Sequence, residues 1–324
     1  IPTDTLALTR PWRGSPWIGN PGDAWSMDER IWHCNTTSPT ILEWDHGRMQ
    51  IDEWLPYNTL MPMSSHSSVS DVRVSATLTP EDSNLVASFT LETLQHRFVW
   101  MIAEQEASLT MSTSGGELVK EVTISIDGLK SHVPTRMECW HVDQMMALYI
   151  NGDYVAELSY NFGPQERIRL ATHSKPSDSI EQIIDIDSKP PSLEWHFDGS
   201  PFSITRLQVD HDLYYNTTSM IQPRAAKNPT KPGNEELVRT GSPAFGTHPA
   251  KLAVLSEDQF MMAGDNSTYS LDSRLWGNPD EFVATQIDDA PFVVSRELLI
   301  GKAWGVYWLP PPLIPEFNRF RFIR

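Results

Sequence analysis

Met146-Ala147-Leu148-Tyr149-Ile150-Asn151-Gly152-Asp153-Tyr154-Val155-Ala156-Glu157-Leu158 is the stretch that decides the fold. Met146, Leu148 and Ile150 alternate with other residues, as side chains on one face of a strand must. Asn151-Gly152 suits a two-residue turn because both residues tolerate positive φ, and the run from Tyr154 leads out as a second strand. The same period of two appears in both directions from this hairpin. Val72, Val74, Ala76 and Leu78 form one stripe, Leu85, Ala87, Phe89 and Leu91 a second, and Phe98, Trp100 and Ile102 a third. Val122, Ile124 and Ile126 form another, closed by the turn pair Asp127-Gly128. Further strands are expected at Ile168–Leu170, Leu193–Phe197 and Phe202–Val209. Many short strands with turn signals close together predict two packed antiparallel sheets, a β-sandwich with few helices.

The segment Met137-Glu138-Cys139-Trp140-His141-Val142-Asp143-Gln144, followed by Ala147-Leu148-Tyr149-Ile150-Asn151-Gly152, resembles the laminin-G and concanavalin-like jelly-roll pattern. That resemblance covers about 16 residues and implies a jelly-roll-like sandwich, with a glycan or a peptide as the ligand such a sandwich would take.

Composition agrees with a folded β-rich chain. Of 324 residues 40% are hydrophobic, and 25 Pro against 17 Gly indicate many turns. The net charge of −17 would repel phosphate backbones, so nucleic acid is not expected as a partner. Cys34 and Cys139 are too few for a disulfide scaffold and lack metal-ligand spacing; they could pair once or remain buried thiols. No run reaches the roughly 18 to 20 apolar residues needed to span a bilayer, which predicts a soluble chain as it stands. Its first residue is Ile, consistent with a processed product or a piece of something longer.

Residues 1–68 are rich in Trp, Pro, Asn and Ser and show no sustained period, so they are expected to be irregular with a few short strands. Trp12, Trp17, Trp25, Trp32, Trp44 and Trp54 could stack on sugars, but rings pinned under loops onto the sandwich are the preferred reading. Pro223, Pro229, Pro232 and Pro243 mark residues 219–245 as a linker. The expected division is therefore 1–218, a Trp-rich lead with the sandwich; 219–245, the linker; and 246–324, a different final region.

Chemistry concentrates in that final region, at Phe260-Met261-Met262-Ala263-Gly264-Asp265-Asn266-Ser267-Thr268-Tyr269-Ser270-Leu271-Asp272-Ser273-Arg274-Leu275-Trp276-Gly277. An apolar strand runs into Gly264-Asp265-Asn266, a trio suited to a sharp turn. Asp272 and Arg274, two apart, would share a face of an extended strand and could pair through the guanidinium fork, with Ser270 on the same face. Such a Ser could orient a catalytic group supplied from elsewhere; a turn or capping cluster is the alternative.

This box resembles the final signature of type I signal peptidases, the membrane-anchored bacterial serine endopeptidases that remove secretory leader peptides. Leu252–Phe260 resembles the strand that feeds the family's box, and Leu298-Leu299-Ile300-Gly301-Lys302-Ala303 the strand that follows it. The resemblance covers roughly residues 250–308, and it implies that residues 1–218 are the long extracytoplasmic insertion of a large-insert form. It further implies β-strands of the peptidase core after the sandwich, secretory preproteins as substrates, and a place at the outer face of the cytoplasmic membrane through an anchor outside this chain. By the same analogy Ser270 hydrogen-bonds the base Lys, Asp272 and Arg274 form an ion pair holding the region, and Gly264, Asp265 and Asn266 shape the turn beside the active site. The family's nucleophile sits in Ser-Met-x-Pro and its base in Lys-Arg. Here Ser26-Met27 precedes Asp28-Glu29, Ser219-Met220 precedes Ile221-Gln222, and no Lys precedes an Arg, so the dyad is expected outside this chain and the chain alone is expected to be inactive.

Other chemistries have less behind them. Asp185-Ile186-Asp187 and Asp210-His211-Asp212 each offer two acids on one face, without the spacing wanted for a glycosidase. His141 has Asp143 nearby, yet single scattered His residues read as packed or surface residues. No metal or cofactor is expected, since no ligand cluster or Gly-rich phosphate loop occurs. The alternative to the peptidase is a lectin-like binding protein or a pseudo-peptidase without catalysis.

Overall fold

The computed structural model describes residues 15–52, 68–184, 186–212, 215, 237–239, 241–264, 270–301, 305–306 and 321–322. The chain is mainly β and divides into two compact units that part between residues 214 and 215.

The first unit is a sandwich of two seven-stranded antiparallel sheets. Its strands are β1 (Trp17–Asn20), β2 (Trp25–Asp28), β3 (Ile31–Cys34), β4 (Thr40–Trp44), β5 (Val72–Pro80), β6 (Val86–Thr93), β7 (His96–Ala103), β8 (Glu106–Thr113), β9 (Leu118–Ser125), β10 (Thr135–Val142), β11 (Met145–Ile150), β12 (Asp153–Ser159), β13 (Ser192–Asp198) and β14 (Phe202–His211). One sheet runs β1-β4-β13-β6-β7-β8-β9 and the other β12-β11-β10-β5-β14-β3-β2. The late strands β13 and β14 insert between early ones, so the fold closes only when residues about 150 apart in sequence meet. That long return connection is what makes the sandwich jelly-roll-like.

The period of two determines the packing. Phe89, Phe98, Trp100, Leu109, Met111 and Trp195 of the first sheet, and Val74, Leu78, Met137 and Leu148 of the second, are fully buried in one core. Trp100 Nε1 crosses that core to donate to the Ala147 carbonyl at 2.9 Å, tying the sheets together with a satisfied polar group. The hairpin β11–β12 turns at Asn151 (φ 54°) and Gly152 (φ 91°), the left-handed pair that a two-residue turn requires.

Some local expectations change. Ile168–Leu170 is helical, within α1 (Pro164–Thr172), because Pro164 at the first helical position fixes φ and Glu166 accepts the Gly163 N–H at 3.4 Å. A second short helix, α2 (Ile180–Ile183), packs Ile180, Ile183 and Ile184 against Ile168. Asp127-Gly128 opens a loop over residues 126–134 rather than a hairpin. Among the described residues the lead contains four strands, and Ala107, Leu109 and Met111 form a further buried stripe on β8. Trp17 and Trp25 are buried, Trp17 meets Trp44 edge-on at 5.3 Å and Trp25 meets Trp32 at 6.0 Å, so these rings belong to the core; Trp12 and Trp54 lie outside the described residues. Cys34 and Cys139 are both buried free thiols, and burial pushes the Cys139 thiol well above its ordinary pKa.

The second unit contains β15 (Gln259–Phe260) paired with β16 (Val294–Ser295), α3 (Glu281–Gln286), and β17 (Gly305–Val306) paired with β18 (Arg321–Phe322). Its core contacts are local, with Phe245 stacked on Phe292 at 5.1 Å and Lys251 Nζ 3.8 Å above the Phe292 ring. Residues 219–236 and 240 of the expected linker lie outside the described residues.

Candidate functional site

In the second unit β15 delivers the chain to Met261–Gly264, and residues 270–277 fold back against that segment. Ser273 fixes the register twice: its N–H donates to the Met262 carbonyl at 3.0 Å and its Oγ accepts the Met262 N–H at 2.8 Å. Ser273 is fully buried, which places its neighbours Asp272 and Arg274 inside as well, at 4% and 5% exposure.

Asp272 is the centre of this arrangement. Its Oδ1 accepts Arg274 Nε and its Oδ2 accepts Arg274 Nη2, each at 2.8 Å, a two-point guanidinium grip. Oδ2 also accepts the Gly264 N–H at 2.9 Å, and Oδ1 the Arg274 N–H at 3.2 Å. Burial alone would raise the Asp272 carboxyl. The Arg274 side chain and the two N–H donors together outweigh it and hold the pKa below the usual carboxylate range. The pair expected from the spacing is present, but residues 272–275 form a turn rather than an extended strand, and Leu275 N–H donates to the Asp272 carbonyl at 2.9 Å.

Gly264 is required for close approach. A Cβ there would sit 2.0 Å from Ser270 Oγ and 2.4 Å from Ser270 Cβ, so no larger residue fits without displacing Ser270. Ser270, Gly264, Asp272 and Arg274 are therefore brought together. Asp265 and Asn266 lie outside the described residues. Tyr215, which the sequence reading did not single out, also belongs here: its hydroxyl donates to the Gly264 carbonyl at 2.6 Å, and its ring lies 4.8 Å from the Arg274 guanidinium carbon. Tyr215 follows another Tyr beside a Pro-rich stretch, where no local pattern sets it apart. Ser273 was visible in the box, but its structural role depends on a contact with Met262.

Chemically, the site holds a locked carboxylate–guanidinium pair and, beside it, a Ser270 hydroxyl with no hydrogen bond inside the described residues. It can accept or donate one bond to an incoming group. The flanks differ from extended strands: only Gln259–Phe260 of the Leu252–Phe260 stretch is a strand, and Leu298 closes a 3-10 turn spanning Arg296–Leu298. Lys302 and Ala303 lie outside the described residues.

The remaining candidates are placed as follows. Ser26 is exposed on β2, and Ser219 lies outside the described residues. Asp210 is held by Arg73 at 2.8 Å and 3.0 Å, and Asp187 is exposed; Asp185 lies outside the described residues. His141 is fully buried: its Nδ1–H donates to the Ser70 carbonyl and its Nε2 accepts the Tyr160 hydroxyl, both at 2.8 Å. Burial lowers its pKa to about 4. Among the described residues no cluster of three or more His, Cys, Asp or Glu side chains could hold a metal, and no helix is long and apolar enough to cross a membrane.

No family model matches the chain. A curated relative, signal peptidase I of Pseudomonas fluorescens, is 26% identical over 141 residues, covering 39% of this chain and 48% of its own length. Among solved structures, a carbohydrate-binding module from Bacillus subtilis aligns at 7% identity and TM-score 0.36 over 60% of this chain and 96% of its own. A prokaryotic β-1,3-1,4-glucanase from a mouse hindgut metagenome aligns at 10% and 0.35 over 63% and 96%. A galectin of Caenorhabditis elegans aligns at 13% and 0.29 over 47% and 89%. The chain thus has a weak sequence similarity to signal peptidase I and spans about half the length of that relative.

Proposed function

We propose that this chain is the extracytoplasmic part of a type I signal peptidase, a serine endopeptidase that removes signal peptides from secretory preproteins outside the cytoplasmic membrane. The observation that carries the reading is the buried Asp272–Arg274 pair, gripped at two points and fixed to Gly264 beside Ser270, at the positions where the box resembles that family. The sequence similarity to signal peptidase I supports it. In this reading the nucleophilic Ser and the base Lys come from outside this sequence, and the residues described here are positioning residues.

The physical role assigned to Ser270 follows from what a Ser–Lys mechanism demands. The Lys must be neutral to take the nucleophile's proton, and a hydroxyl hydrogen bond to the neutral amine lowers the energy of that form. Asp272 and Arg274 hold the backbone that presents Ser270, and Gly264 leaves room for it.

The test is the pH profile of preprotein cleavage by the gene product that contains this chain, with and without Ser270→Ala. Losing one hydrogen bond to the neutral Lys moves the acid limb of kcat/KM upward by about one pH unit and lowers the plateau about tenfold. An unshifted limb with an unchanged plateau contradicts the role. The isolated 324-residue chain is expected to leave the same preprotein uncut.

A further inference from the structure

We infer that the outer face of the sheet β1-β4-β13-β6 carries a binding site for a neutral, hydroxyl-rich ligand, an oligosaccharide. Trp195 and Phe197 of β13, Phe89 of β6 and Leu42 of β4 point into the core, so the alternate side chains on these strands face outward. There a cleft of about 350 Å³ opens on the sheet, at the small end of the range for ligand pockets. Its floor is one row across four strands: Asn20 pairs with Ile41, Ile41 with His196, and His196 with Ser88. Asp198 stands at one end, and Pro39 and Val86 add apolar wall.

Three features define the ligand. First, Asn20, Ser88 and Asp198 have no side-chain hydrogen-bond partner among the described residues, so polar capacity is available in the cleft. By contrast, the polar groups on the outer face of the other sheet satisfy one another, as Arg73 does with Asp210 and Arg136 with Glu138. Second, a carboxamide and a hydroxyl each donate and accept, an imidazole does both, and a carboxylate accepts. A cation would be served by acceptors alone and an anion by donors alone; a ligand hydroxyl uses both, and Ile41, Pro39 and Val86 suit its C–H surface. Third, Glu43 and Glu194 are cross-strand partners on this same face, with His196 Nε2 3.1 Å from Glu194 Oε2, so an anionic ligand meets like charge. The backbones of β4, β13 and β6 under the cleft are already paired on both sides, so a peptide could add as a strand only at the edge strand β1.

The site lies wholly within the sandwich and does not rest on the peptidase reading, so the failure of either leaves the other standing. The test titrates the chain with maltotriose, cellotriose, laminaritriose, N-acetylchitotriose and, as a peptide probe, trialanine, using calorimetry up to about 10 mM ligand. Saturable binding of at least one trisaccharide is expected. His196→Ala and Asn20→Ala should each weaken it about tenfold, the scale of one lost hydrogen bond, with unchanged melting midpoints. Tyr154→Ala, at an exposed position on the opposite sheet, should leave it intact. Binding of no trisaccharide, of trialanine alone, or equally well by His196→Ala would overturn the assignment.

Discussion

Asp272 shows how one residue can matter to both stability and chemistry. Taking away one member of a buried charge pair leaves the other unsatisfied, at a cost of about 3–5 kcal/mol. Asp272→Asn should therefore lower the melting transition of the second unit and leave that of the sandwich in place, a difference that calorimetry of the intact chain can resolve. Because the Asp272 carboxyl is held below its ordinary pKa, its contribution is complete above the unfolded-state value near pH 4 and disappears as pH falls through the folded-state value. Gly264→Ala should likewise destabilise this unit, since the added Cβ meets Ser270. In the sandwich, His141 and Asp71 have opposed pH responses. Burial, with repulsion from Asp143 and Asp212, raises Asp71 to about 6 against the pull of the Asp143 N–H and Arg167. A carboxyl raised in the folded state gains stability as pH falls through 6 toward 4, whereas His141, lowered to about 4, loses stability as pH falls from 6.5. For the fully buried His141 that loss totals about 3 kcal/mol. In the wild-type sandwich the Asp71 response should offset part of the His141 loss between pH 6 and 4. Asp71→Asn should remove that offset and melt progressively lower with acid, and a flat profile for this variant would contradict the assignment.

At the scale of elements, the hairpin β11–β12 depends on its turn. Gly152→Ala places a Cβ at φ 91° and should cost the sandwich about 1 kcal/mol or more by denaturant unfolding, while leaving the slope of the transition unchanged. This hairpin was legible in the sequence because its evidence is local: alternating side chains on either side of Asn151-Gly152. The stripes of β5, β6, β7 and β9 were legible for the same reason. Ile168–Leu170 was misread because two apolar residues two apart fit both periods, and Pro164 with Glu166 decided for a helix. The lead was harder to read, since its strands are only four or five residues long and their Trp residues are buried by partners far along the chain, as Trp25 is by Phe197 and Phe202. At the candidate site the Asp272–Arg274 pair was readable from spacing and complementary charge. Tyr215 was not, because its partners are Gly264 and Arg274, about 50 and 59 residues away, and nothing nearby in the sequence indicates them.

The whole molecule combines two kinds of stability. The sandwich rests on a single large apolar core built from strands that meet across long sequence separations, and such topologies fold slowly because loop closure precedes the gain from contacts. Among its described residues the second unit shows the stacked pair Phe245–Phe292 and the buried Asp272–Arg274 ion pair. The most direct measurement of the central proposal is the mass of the products formed when the gene product containing this chain is incubated with a secretory preprotein. A single cut at the junction between leader and mature sequence is expected, slowed at least about tenfold by Asp272→Asn with little change in KM. An uncut preprotein, or a cut made equally fast by the Asp272→Asn variant, would contradict it.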